Sequence, residues 1–321
     1  MDVIALLRQR ALLPIAACQV SGEYALMKFA AASSAVEEER VVRESLGAFK
    51  RAGVDLILTH IAVDIARQDS EGGGHDMIER QRTLLLTGAS RGIGHATVKT
   101  FSDAGWRVLT ISRHPFDPRC PWEGGAKNHI QLDLADMENV LTAMPRVREI
   151  VGDQLDALIN NAAISPKSPE GGKITALEMG YSHWLHIFNV NFFACVALVQ
   201  GLRAPLEAAR GVVVNMTSIV GSRVHPFASA AYATSKAALW ALTRELAADF
   251  GASGVRVNAV SPGEINTGIL SPGTEAIVER NIPLHRLGVP REVADLLLFL
   301  CSPPASYISG SEIHIDGGQR V

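Results

Sequence analysis

Residues 84–101 read Leu84-Leu85-Leu86-Thr87-Gly88-Ala89-Ser90-Arg91-Gly92-Ile93-Gly94-His95-Ala96-Thr97-Val98-Lys99-Thr100-Phe101. The unbroken apolar triplet at the start is what a strand buried on both faces looks like. Three glycines then turn the chain into a stretch that reads as a helix. A strand, a Gly-rich turn and a helix N-terminus gather backbone amides and the positive end of a helix dipole in one place, which suits a pyrophosphate. In that reading Gly88 allows the tight turn, Gly92 lets the backbone approach the ligand and Gly94 lets helix and strand pack closely. A glycine triad alone is equally compatible with an ordinary turn, so the surrounding chain has to decide.

The pattern continues on the C-terminal side. Apolar strands are expected near residues 83–87, 107–111, 128–132, 155–160, 211–217, 255–260 and 311–315, separated by helical stretches. This βα alternation predicts an α/β, doubly wound Rossmann-type domain over residues 80–321, with a mostly parallel seven-stranded sheet and helices on both faces. A ligand would lie across the carboxyl ends of the strands. The segment from Glu264 to Arg286 carries Pro and Gly signals and is expected to be a lid over a substrate.

Tyr232 and Lys236 occur in Ala-Tyr-Ala-Thr-Ser-Lys, and a spacing of four puts both on one helix face. A phenol is a poor acid or base near neutrality, its unperturbed pKa being about 10. An adjacent ammonium would favour the phenolate and bring it into working range. Tyr and Lys four apart are also common on ordinary helix surfaces.

With these residues in hand, the chain over about residues 80–321 resembles the short-chain dehydrogenase/reductase family, close to its 3-oxoacyl-carrier-protein reductases. Thr87 to Gly94 fits the family's Thr-Gly-x-x-x-Gly-x-Gly turn, and Asp133 in Leu132-Asp133-Leu134 fits its adenine-contacting acid. Asn160-Asn161-Ala162-Ala163 fits the Asn-Asn-Ala-Gly motif, with Ala163 where glycine is usual. Asn191, Ser218, Tyr232 and Lys236 fit the catalytic tetrad. Pro262, Gly263 and Thr267 fit the segment that closes over the nicotinamide, and Arg286-Leu287-Gly288 with Pro290 and Asp316-Gly317-Gly318 complete the set.

The resemblance implies chemistry. Tyr232 would pass a proton to or from the substrate oxygen while hydride moves to or from a nicotinamide. Ser218 would hydrogen-bond that oxygen, Lys236 would bind the nicotinamide ribose and tune Tyr232, and Asn191 would fix a water linking Lys236 to solvent. The cofactor would be held by Gly88, Ser90, Arg91, Gly92, Ile93, Gly94, Ser112, Arg113, Asp133, Asn160, Ala162, Tyr232, Lys236, Pro262, Gly263 and Thr267. The second strand, Arg107 to Ser112, ends without the Asp or Glu that would grip a ribose 2′-hydroxyl. Arg91 and Arg113 converge there instead, which suits a 2′-phosphate and favours NADP(H) over NAD(H). The ten histidines form no metal-ligand motif, and no metal is expected. His183, His186 and His225 read as surface, lid or packing residues, since the tetrad supplies every proton step.

A net charge of −3 gives no polybasic surface for nucleic acid or anionic membrane. Hydrophobic content of 47% with 20% charged residues is enough to bury a large core. Cys18, Cys120, Cys195 and Cys301 have no framework spacing, which fits a reducing cytoplasm. No apolar run reaches the ~20 residues needed to span a bilayer. Ile15-Ala16-Ala17-Cys18 imitates a lipoprotein cleavage box behind Arg8 and Arg10, but the apolar stretch before it is short. The expected partners are a small-molecule carbonyl or alcohol and further copies of the chain, a homotetramer by resemblance.

The first 68 residues stand apart, followed by the glycine-rich linker 69–79. Leu13 to Val20 and Val54 to Thr59 read as strands. Pro14-Ile15-Ala16-Ala17-Cys18-Gln19-Val20-Ser21-Gly22-Glu23-Tyr24 and Arg51-Ala52-Gly53-Val54-Asp55-Leu56-Ile57-Leu58-Thr59-His60 resemble the C-terminal end of porphobilinogen synthase, a TIM-barrel enzyme. Ser21 matches a substrate-contacting serine, while Cys18 and His60 stand where that family has tyrosines. Its Schiff-base lysines lie upstream of this segment, and two βα units cannot close an eight-stranded barrel. The segment reads as a non-catalytic partial-barrel tail, with Met77 as an alternative start. Besides a reductase, the sequence leaves two readings: a catalytically silent nucleotide-binding scaffold, and a bifunctional fusion linked to tetrapyrrole synthesis.

Overall fold

The computed structural model describes residues 8, 15–18, 21–33, 37–52, 54, 56–58 and 80–321, the last stretch apart from 118–119, 121, 123, 170 and 268–273. The chain divides into two units, Met1–Arg80 and Gln81–Val321. In the first, β1 (Ala16–Cys18) pairs in parallel with β2 (Leu56–Leu58). Between them run α1 (Ser21–Ala32) and α2 (Glu38–Arg51), with Val42 and Phe49 of α2 buried. Leu26 and Phe29 of α1 are largely exposed. The linker 69–79, His60 and Met77 lie outside the described residues.

The second unit contains β3 (Thr83–Thr87), α3 (Gly92–Asp103), β4 (Arg107–Ser112), β5 (His129–Gln131), α4 (Met137–Val151) and β6 (Ala157–Asn160). There follow α5 (Tyr181–Phe188), a π-helical turn at Asn189–Phe193, α6 (Ala194–Gly201), α7 (Arg203–Ala209) and β7 (Val212–Met216). The unit closes with α8 (Ala230–Phe250), β8 (Arg256–Pro262), α9 (Thr274–Asn281), α10 (Pro290–Leu300) and β9 (Glu312–Ile315). The seven strands are ordered β5-β4-β3-β6-β7-β8-β9. Every pairing is parallel, from Thr83 opposite Arg107 to Pro262 opposite Ile315.

The leucine triplet shows why both faces are covered. Leu84 and Leu86 join a core with Val98 and Phe101 of α3 and Val293 and Leu297 of α10. Leu85, between them, joins the opposite core with Val140 of α4, Leu198 of α6 and Phe250 of α8. A period of two on a sheet with helices on both sides demands apolar residues at every position. After β5 at one edge the chain crosses to β6 beside β3, so the order reverses between β3 and β6. Parallel α/β sheets bind ligands in the crevice at such a reversal.

By length and composition, the helical stretch Tyr181–Gly201 could cross a membrane. An inspection for unbroken apolar runs misses it, because His183, His186, Asn189 and Asn191 interrupt the run without lowering its mean hydropathy below 1.3. In the fold it packs on α4 and α8, with Ile187, Asn191 and Ala194 fully buried. The expected lid is described at Glu264–Thr267 and from α9 onward; residues 268–273 lie outside the described set.

The turn after β3 leaves no room for side chains. Gly88 has φ +73°, and a Cβ there would lie 2.8 Å from Ala162 Cα. At Gly94 a Cβ would sit 2.1 Å from the Gly88 carbonyl oxygen. Gly94→Ala is therefore expected to force the turn from the strand and cost about 1–3 kcal/mol, the usual range for overpacking. Urea denaturation measures it, and a variant as stable as the parent would show that the turn relaxes freely.

Candidate active site

Thr87 and Asn161 fasten the ends of β3 and β6 together. Thr87 Oγ1 accepts from the backbone N–H of Asn161 and of Ala162, each at 3.0 Å. Asn161 Nδ2 donates to the carbonyls of Thr87 (3.0 Å) and Gly88 (2.9 Å). These bonds hold the glycine turn open above the N-terminus of α3, whose first amides have no partner within the helix. A cavity of about 450 Å³ lies over this turn, lined by Gly88, Ser90, Arg91, Gly92, Ile93 and Gly94. Its other walls include Ser112, Arg113, Asp133, Ala162 and Thr267.

The end of β4 is arranged around histidines. His129 Nε2 donates to the His114 carbonyl at 2.9 Å, so Nδ1 receives the Thr110 hydroxyl, also at 2.9 Å. Arg113 Nε donates to His114 Nε2 at 3.1 Å, which orients the guanidinium through Nε rather than through its terminal nitrogens. Asp133 turns its carboxylate back to the N–H of Ala135 at 3.0 Å. The cavity lining contains no acid at the end of β4.

A second cavity of about 490 Å³ shares Arg91, Ile93, Asn161, Ala163 and Thr267 with the first, so the two form one cleft. Ser218, Tyr232 and Lys236 line it with Pro262, Gly263 and Glu264. Ser218 follows β7 in extended backbone, and its side chain accepts from Val220 N at 3.4 Å. Lys236, one turn along α8 from Tyr232, has its ammonium 5.6 Å from the phenol ring centroid and donates to the Met216 carbonyl at 2.6 Å.

Burial changes the expected electrostatics. Lys236 is 2% exposed, and desolvation pushes its pKa down to about 8 against a small opposing pull from Cys195. Tyr232 is raised above 10 by desolvation and by the Glu264 carboxylate, and lowered in part by the nearby Ser218 hydroxyl. Desolvation opposes the sequence expectation that Lys236 holds Tyr232 near its phenolate, because helical spacing gives proximity but not the cost of burial.

Asn191 sits in the π turn, fully buried, with its side chain fully engaged. Its Oδ1 accepts from Ile164 N (2.9 Å), while Nδ2 donates to Ile164 O (3.1 Å) and Ser235 Oγ (3.0 Å). It thereby ties the chain after β6 to the helix that carries Tyr232. Its main-chain carbonyl accepts from Cys195 Sγ at 3.6 Å.

Asn160 is a correction. It belongs to the buried interior, where Nδ2 donates to Asn215 Oδ1 at 2.8 Å, and it lines neither cavity. Successive strand residues face opposite sides, and it is Asn161 that reaches the cleft. The other expected residues except Asn191 line the cleft. Sequence reading passed over Thr87 and Asn161 as binding-site supports, His114 and His186 in the first cavity, and Lys167, His225 and Glu264 in the second. His225, read as packing, is indeed 8% exposed, yet it also lines the reaction cavity. Among the described residues no cluster of three His, Cys, Asp or Glu side chains could hold a metal, and Cys120, Cys195 and Cys301 are free.

Residues 88–320 match the family model described as enoyl-(acyl carrier protein) reductase. The chain belongs to the short-chain dehydrogenase/reductase family. Within it, the chain is 54% identical over 242 residues to protein FixR of Bradyrhizobium diazoefficiens, covering 75% of this chain and 87% of that one. It is 34% identical to the 3-oxoacyl-[acyl-carrier-protein] reductase FabG of Aquifex aeolicus, over 74% of this chain and 96% of the relative. A family oxidoreductase from Brucella ovis, solved with a partially ordered NAD, is 52% identical with a TM-score of 0.65, covering 73% of this chain and 99% of that structure. Residues 1–68 match the model for delta-aminolevulinic acid dehydratase.

The buried lysine of this short-chain dehydrogenase/reductase gives a pH prediction. The unfolded chain keeps the Lys236 ammonium to about pH 10.5, whereas the folded chain releases its proton near 8. Between those values the unfolded state binds more protons, so stability rises with pH. Relative to Lys236→Met, the parent should gain on the order of a few kcal/mol across that window. Urea melts of both proteins at either end measure it, and an unchanged difference would show that the ammonium is solvated.

Proposed function

We propose that this oxidoreductase interconverts a carbonyl and a secondary alcohol with NADP(H), using Tyr232 as the proton donor and acceptor. The observation that carries the reading is that Ser218, Tyr232 and Lys236 line one cavity, which is continuous with the glycine turn. The cleft fits a nicotinamide dinucleotide. The close packing at Gly88 and Gly94 leaves its floor as bare backbone, and arginines rather than acids stand at the end of β4. When bound, the nicotinamide supplies or accepts the hydride.

The chain's own residues do the rest. Tyr232 gives its hydroxyl proton to the carbonyl oxygen in reduction and recovers one in oxidation. Ser218 donates to the same oxygen and stabilises the charge that develops there. Lys236 holds the ribose, and its ammonium stabilises the phenolate left by proton transfer. Asn191 acts at a distance by fixing Ile164 and Ser235, with its carbonyl holding a relay water. Arg91 and Arg113, the latter oriented by His114, take a 2′-phosphate, and Ser112 is placed beside them. We further read the enzyme as cytoplasmic and homo-oligomeric, with exposed Leu185 and Phe193 and the edge strand β9 as contact surfaces for a tetramer. Residues 1–68 are read as a non-catalytic appendage.

Tyr232→Phe should abolish turnover while leaving NADPH binding intact, and Ser218→Ala should lower kcat by roughly 10²–10³-fold. Steady-state rates with fluorescence titration of NADPH separate the two effects, and a Phe variant retaining a tenth of the rate refutes the assigned mechanism. Arg113→Asp should weaken NADPH about ten- to hundredfold and favour NADH, the loss of one charge-assisted bond. A parent enzyme that already prefers NADH would remove the basis for that expectation. A chain beginning at Met77 should remain folded and active, since the second unit has its own sheet and cores; aggregation would make the N-terminal unit structural.

A further inference from the structure

Proton transfer does not account for every charge lining the reaction cavity. Glu264 follows directly on Gly263, and its backbone is held on both sides: its N–H donates to Gln319 Oε1 (3.2 Å) and its carbonyl accepts from Gly288 N (3.0 Å). The bidentate Arg286–Glu292 pair (2.7 and 3.0 Å) braces the Gly288 segment. The Glu264 carboxylate comes within 3.0 Å of His225 Nε2. Phe227 N donates to His225 Nδ1 (3.2 Å), so Nδ1 is the acceptor and the neutral ring carries its proton on Nε2. That approach lacks hydrogen-bond alignment, and Nε2 is buried without a hydrogen-bond partner.

Lys167 lines the same cavity. Its ammonium donates to the Phe227 carbonyl and lies 5.7 Å from the Phe227 ring centroid. It feels the Glu264 charge, yet among the described residues no ion pair joins the two. One carboxylate and one ammonium, each held from its own side, therefore line a cavity whose reacting hydroxyls are Ser218 and Tyr232. Lys167 is exposed and the Glu264 side chain is 24% exposed, so both charges are wetted at the cavity wall, and a purely apolar substrate seated against them would strip that water with nothing opposite.

We propose that Glu264 and Lys167 form a subsite for a zwitterion: a hydroxy or oxo compound whose ammonium meets Glu264 and whose carboxylate meets Lys167. This rests on Ser218 and Tyr232 being the reacting centre. His225 packs beside one Glu264 oxygen, with Nε2 3.0 Å away. In oxidation Tyr232 acts as its phenolate: the carbinol C–H bond breaks with its electron pair going to the oxidised nicotinamide, the O–H proton passes to the phenolate oxygen, and a C=O remains.

Four matched secondary alcohols test it with the full chain and NADP⁺ or NAD⁺: threonine carries both charges, 3-hydroxybutyrate only the carboxylate, 3-amino-2-butanol only the ammonium, and 2-butanol neither. Threonine should show the highest kcat/KM, by about tenfold or more, as expected for an added charge-assisted contact. Glu264→Gln should lower kcat/KM for threonine and 3-amino-2-butanol about tenfold more than for 3-hydroxybutyrate, and Lys167→Met should lower it for threonine and 3-hydroxybutyrate about tenfold more than for 3-amino-2-butanol. Equal use of 2-butanol and threonine, or variants that depress all four alike, overturns the subsite and leaves the reductase assignment standing. If no alcohol reacts, calorimetric titration of the NADP⁺-loaded protein decides. Threonine binding that Glu264→Gln abolishes upholds the subsite and removes the reaction, and equal binding of threonine and 2-butanol overturns the subsite.

Discussion

The four hydrogen bonds between Thr87–Gly88 and the Asn161–Ala162 segment are the constraint on which the rest depends. They join the ends of β3 and β6 at the point where strand order reverses. Two side chains thereby satisfy backbone groups that a ladder no longer pairs, and the turn is fixed before any ligand arrives. The glycines matter because of that fastening: with Ala162 and the Gly88 carbonyl already in place, a methyl has nowhere to go.

Burial is the second organising force, and it acts on the chemistry directly. Tyr232 and Lys236 share a helix face, yet desolvation disfavours the charged form of each, lifting one pKa and lowering the other. Near neutrality that leaves a neutral phenol beside an ammonium that releases its proton at about 8.

Strand positions were legible because a parallel sheet covered on both faces writes itself as continuous apolar runs, as at Leu84–Leu86 and Val212–Val214. Strand ends were less so: hydrogen bonding sets them, and hydropathy does not register where pairing stops. That is why Asn160 and Asn161 exchanged roles, since one residue more or less of strand turns a side chain from cleft to interior. Tyr232, Lys236 and Ser218 were readable from residue type and local spacing. Glu264, His225 and Lys167 were not, because they come from three separate loops that only the completed fold brings to one cavity. The π turn at Asn191 is equally silent in the sequence, where it looks like any apolar helix.

The reversal of strand order also divides labour along the sheet. The lining of the first cavity comes mainly from the ends of β3, β4 and β5, whereas Lys167, Ser218, His225, Tyr232 and Glu264 come from segments after β6, β7 and β8. Each half has its own loops, and the fastening at the midline keeps their relative placement fixed. Natural variation can therefore recast the right-hand loops for a new metabolite while the left-hand grip is inherited unchanged. A family built this way diversifies by exchanging specificity and conserving its energy source.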